Sequence, residues 1–144
     1  MRFMVLMKAN KETEAGVMPS EAAISQMMNF NEQLVKAGVM LEGEGLYPSS
    51  RGVRVRFSGG KANVTEGPFP DTNQLVCGYW IWKVNSKEEA IEWLQRSPMR
   101  HGDGVEVELR QIFESEDFGA ELTPELRKKE EALRAQSERL KKSA

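Results

Sequence analysis

The chain has 144 residues, enough for one ordinary domain that buries about two-thirds of the surface its unfolded form exposes. Its 20 Lys+Arg stand against 22 Asp+Glu, a net charge of −2, so no basic excess is present to neutralise phosphates and nucleic-acid binding is disfavoured. The single cysteine, Cys77, excludes an intramolecular disulfide and a CxxC-type metal site, and fits a reducing, cytoplasmic setting.

The opening MRFMVLMKAN has five apolar residues in succession, too few for the apolar core of a signal peptide and far below the roughly 20 that span a bilayer. A soluble, intracellular protein with no membrane partner is expected. Residues 2–9 read as a first strand buried on both faces. From Ser20 to Ala37, Ile24, Met27, Met28, Leu34 and Val35 recur at helical spacing, which predicts an amphipathic helix capped by Ser20 and closed by Gly38. The two methionines read as adaptable core.

Residues 40–52, MLEGEGLYPSSRG, hold glycines and a proline and read as a loop whose backbone approaches something closely. VRVRF then alternates, SGGKA turns and NVT returns. The pattern predicts a hairpin with Val53, Val55 and Phe57 inward and Arg54 and Arg56 outward. The two arginines either solubilise the edge or bind an anion.

VTEGPFPDT (64–72) leads from the hairpin into Leu75–Val84, which has the composition of a central strand. Ser86 and Glu89 form a capping box for a helix that stops at Pro98, with Ala90, Ile91 and Leu94 on its buried face and Trp93 toward one flank. Residues 104–113 alternate again as a closing strand. A terminal helix over 123–142 has Thr123 as cap, Pro124 at its first position and leucines at 126, 133 and 140. That thin stripe needs a partner groove on its own domain or a second subunit, or pairs as a short coiled coil.

The order β-α-hairpin-β-α-β predicts a ferredoxin-like α+β sandwich, an antiparallel sheet with helices on one face, plus an added hairpin and a C-terminal helix. The domain spans 1–113 and the extension 114–144. The uncovered sheet face predicts a homodimer.

The one histidine, His101, is the only side chain whose ordinary pKa lies near 7, so it is the natural general acid or base; the alternative is a solvated loop residue at a helix exit. Glu66 and Asp71 flank the Gly-Pro-Phe-Pro turn, and either one could orient His101 or simply hydrogen-bond nearby backbone N–H groups. An apolar pocket beside them would draw on Phe69, Tyr47 and Trp80, with Glu44 from the glycine-rich loop. One histidine with scattered carboxylates leaves no transition-metal site, and GEGLYP lacks the pattern of a phosphate cradle. No cofactor is expected, and Cys77 reads as an inert core residue.

GEGLYP, then VTEGPFPDTNQLVCGYWIWKVNSKEEAIEWLQRSP, then HGDGVEVELRQI resembles the YCII-related family, specifically its DGPF-domain branch, over residues 1–113. Glu66 stands where that branch has aspartate, Pro70 replaces the usual alanine, and Asp71-Thr72-Asn73-Gln74 replaces E-T-K-E. Leu109, Arg110 and Gln111 keep only part of the closing strand's arginine-proline. The resemblance implies a ferredoxin-like dimer with a pocket near the subunit interface. It implies an activity that is either acid-base chemistry on a small molecule, with a His-Asp pair suggested for related proteins, or ligand binding in a regulatory dimer associated with sigma factors.

Overall fold

A computed structural model describes residues 1–144. The chain divides into two compact units, Met1–Ile112 and Phe113–Ala144.

The first unit contains strands β1 (Arg2–Lys8), β2 (Met40–Gly45), β3 (Val53–Ser58), β4 (Lys61–Glu66), β5 (Val76–Lys83) and β6 (Val107–Gln111), with helices α1 (Lys11–Glu14), α2 (Glu21–Lys36) and α3 (Lys87–Gln95). Four strands form one sheet in the order β2-β5-β1-β6, with every neighbouring pair antiparallel. This is the ferredoxin-like α+β arrangement that the element order predicts. The strand rich in tryptophan, β5, lies inside the sheet as expected, and β1 beside it.

Pairing of Val5 with Trp80 and of Phe3 with Trp82 puts these four side chains on one face. Helices α2 and α3 lie against that face and close the core with Phe30, Leu34, Ala90 and Trp93. Phe30 is its hub, edge-on to Trp80, Trp82 and Trp93 with ring centroids 5.8, 6.4 and 6.3 Å apart. Such pairs add about 0.5–1.5 kcal/mol each beyond the area they bury. The expected helix is present, with Ser20 accepting from the Ala23 N–H. Its buried stripe is different, however: Phe30 and Leu34 face inward, while Met28 and Val35 are exposed. In α3 likewise Trp93 is buried and Ile91 lies outside.

The segment 40–45, expected as a loop, is the edge strand β2. Gly43 is there because a Cβ would lie 2.6 Å from the Trp80 ring, so the glycine lets the indole lie across the strand. Strand β1 is buried on one face and only partly buried on the other. On that second face Met4 and Leu6 sit opposite Ile81 and Tyr79.

The hairpin forms where the sequence places it, around Gly59-Gly60, both at positive φ as a two-residue hairpin turn requires. Its apolar side does not face inward. Every residue of both strands is exposed, Phe57 at 79 %.

In the second unit, α4 (Pro124–Ser143) starts on Thr123 with Pro124 at its first position. The helix buries no residue. Phe113 and Phe118 stack at 5.4 Å, and Glu130 accepts from Ser115 and Arg134. No helix is long and apolar enough to cross a membrane.

Candidate ligand-binding cleft

Two residues past the end of β1, Asn10 caps α1: its side chain accepts from the Thr13 N–H while the Thr13 hydroxyl accepts from the Asn10 N–H. This reciprocal cap nucleates α1, one turn of helix that carries Glu14. Glu14 Oε1 accepts from the Ser49 N–H at 3.0 Å and Oε2 from the Ser49 hydroxyl at 2.5 Å. The Phe69 N–H donates to the same Ser49 Oγ at 3.0 Å. One serine thus joins three segments that are far apart in sequence: α1, the loop after β2, and the Gly-Pro-Phe turn.

The fit is tight. The Gly67 N–H donates to the Gly52 carbonyl at 2.9 Å, and a Cβ on Gly67 would lie 1.7 Å from the Ser49 carbonyl oxygen. No other residue fits at 67. The Gly67–Pro68 bond is cis. Beyond it the Arg54 guanidinium stacks 4.0 Å over the Phe69 ring and forms two hydrogen bonds to Asp71, at 3.1 and 3.3 Å. Those bonds hold the Asp71 carboxyl below the usual carboxylate range. The outward arginine therefore clamps the turn to the hairpin.

Between residues 13–19 and 45–51 this framework leaves a cleft of about 770 Å³. Its walls include Val17, Met18, Leu46 and Tyr47, with Arg51 and Cys77 also lining it. The volume falls within the ordinary range of small-molecule sites. Arg51 sits with its guanidinium 3.8 Å over the Tyr47 ring. Burial pushes the Cys77 thiol above its usual range, so it is neutral and a poor nucleophile.

A YCII-related domain model matches residues 1–115, the whole sheet and all the segments that line this cleft. The chain belongs to the YCII-related family. No curated protein matches it. Among solved structures, this YCII-related chain is similar to the 5-chloro-2-hydroxyhydroquinone dehydrochlorinase TftG of Burkholderia phenoliruptrix, in complex with 2,5-dihydroxybenzoquinone. That likeness has 10 % identity and a TM-score of 0.47, and covers 81 % of this chain and 98 % of the other.

Of the residues singled out from sequence, Tyr47 lines the cleft. Phe69 lies under Arg54, and Trp80 is in the core, its indole N–H donating to Asn31 at 3.0 Å. Glu44 is on β2, paired with Tyr79. His101 is exposed on the short turn Pro98–His101, Glu66 is exposed at the end of β4, and Asp71 is held by Arg54. No hydrogen bond connects His101 to either carboxylate, and none of the three lines the cleft.

A second polar cluster lies on the sheet face opposite the helices. There the Tyr79 hydroxyl donates to Glu42 at 2.9 Å. That bond, with the nearby Glu44 charge, raises the phenol above its usual range. No three metal-ligating side chains converge anywhere.

Glu14, Ser49 and Arg51 are not marked by any sequence pattern. A one-turn helix is too short for periodicity to register, and Asn10-x-x-Thr13 is the one available signal for it. Nothing local marks the partnership between residues 14 and 49.

Proposed function

We propose that this YCII-related domain, of the DGPF branch, works as a homodimer that binds a small, largely apolar molecule in the cleft between residues 13–19 and 45–51. The cleft itself carries the reading: apolar walls, a few polar groups, and a framework stapled by Ser49 so that it exists before any ligand arrives. The Glu-Gly-Pro-Phe turn, which resembles the branch's motif, is a working part of that staple.

Ligand binding is favoured over acid-base catalysis within one chain, because both oxygens of Glu14, the cleft's carboxylate, are held by Ser49. Dimerisation is supported by two apolar surfaces. One is the sheet face with Met4, Leu6, Tyr79 and Ile81, and the other is the hairpin side with Val53, Val55, Phe57 and Val64.

A ligand-observed NMR fragment screen tests the site. Fragments should bind the wild type, fail to bind a Leu46→Trp variant whose indole fills the cleft, and bind a Phe57→Ser hairpin variant normally. Fragments indifferent to Leu46→Trp would place the site elsewhere.

A further inference from the structure

Arg51 is the single cation lining the cleft, and it enters no ion pair. Its side chain makes no hydrogen bond. It stacks on the face of Tyr47, itself 73 % exposed. Stacking uses the π face of a guanidinium and leaves its in-plane N–H donors free, arranged as the fork that matches a planar carboxylate. The stack also fixes the orientation of a long side chain in advance, which lowers the entropy cost of using it.

The rest of the lining limits the charge of a ligand. Glu14 carries a negative charge answered only by the neutral donors of Ser49, and the Cys77 thiol is uncharged. One guanidinium and one carboxylate in the same lining suit a single added negative charge and disfavour a dianion such as a phosphate monoester. Val17, Met18, Pro19, Leu46 and Pro48 give the remainder of the ligand an apolar surface.

We infer that the cleft selects an amphipathic monocarboxylate, its carboxylate on the Arg51 fork and its apolar body against the Val17–Pro19 and Leu46–Pro48 walls. This rests on the cleft being the ligand site.

The test uses a matched pair of probes, 3-phenylpropionate and its neutral amide 3-phenylpropanamide, titrated into the full chain by ligand-observed NMR. The carboxylate should bind roughly tenfold more tightly than the amide, weakening as salt is added. In Arg51→Gln that preference should vanish while the amide is held as before. Arg51→Lys, which keeps the charge without the planar fork, should fall between. Because the Arg51 side chain is exposed and not hydrogen-bonded, these variants should fold as the wild type, and an unchanged far-UV circular dichroism spectrum checks that.

If the amide binds as tightly as the acid, or Arg51→Gln weakens both equally, selection by charge is refuted while the cleft stands. Failure of both probes where other fragments bind also refutes it. Failure of every fragment refutes the cleft as a site.

Discussion

Ser49 has its polar groups fully committed: its N–H and hydroxyl to Glu14, its Oγ to the Phe69 N–H, and its carbonyl to the Gly52 N–H. Removing the hydroxyl strands a partly buried carboxylate oxygen and a backbone N–H together. Ser49→Ala should therefore cost about 1–3 kcal/mol in urea unfolding, and an unchanged midpoint would show the staple to be idle. The clamp next to it has a pH signature. The folded pKa of Asp71 lies below its unfolded value, so the Arg54 contact contributes fully above about pH 4 and is lost as pH falls through the lower folded value. Protection of the β3 and β4 amides, taken relative to their pH-dependent intrinsic exchange, should fall only in that acidic window, and Asp71→Asn should abolish the step. At this scale the sequence is informative about shape. GPFP is legible as a turn from proline and glycine chemistry alone, but the reason for Gly67, a carbonyl from 18 positions earlier, is visible only in three dimensions.

Elements are legible where hydrogen-bonding caps and periodicity agree. Ser20, Ser86 and Thr123 all cap the helices expected of them. Which stripe of a helix is buried is less legible, because α2 has apolar residues around much of its circumference and the choice among them is made by the sheet. The aromatic face of β5 selects Phe30 by edge-to-face packing and leaves Met28 in solvent. Thus Phe30→Ala should cost about 3–5 kcal/mol, whereas Met28→Ala should stay within about 0.5 kcal/mol. Equal effects in thermal or urea unfolding would put the wrong face inward. The hairpin shows the same limit from the other side: alternation in VRVRF marks a strand correctly, but alternation does not say what its apolar side meets.

For the whole molecule, the β-α-hairpin-β-α-β order points to the fold class, because few topologies accommodate two helices on one face of an antiparallel sheet. The fourth strand of that sheet, however, is β2, the segment expected as a loop, and the hairpin forms a sheet of its own. The cleft is not legible, since its walls come from segments with no shared motif. We propose that a second copy covers the sheet face that carries Met4, Leu6, Tyr79 and Ile81. In sedimentation velocity the 16.3 kDa chain should run at about twice its mass, and Ile81→Glu should return it to monomer. A wild type that stays monomeric as concentration rises would remove the dimer.

All three tryptophans, Trp80, Trp82 and Trp93, meet in one buried cluster around Phe30, and none lines the cleft. Their emission is accordingly a gauge of the core alone. It should report unfolding as a large red shift and stay silent when a ligand enters between Leu46 and Val17. A change in indole fluorescence on adding a small molecule would then signal a disturbed sheet-helix packing, not occupancy. Trp80 and Trp82, 5.3 Å apart, should add a coupled near-ultraviolet dichroism band that disappears when the core loosens.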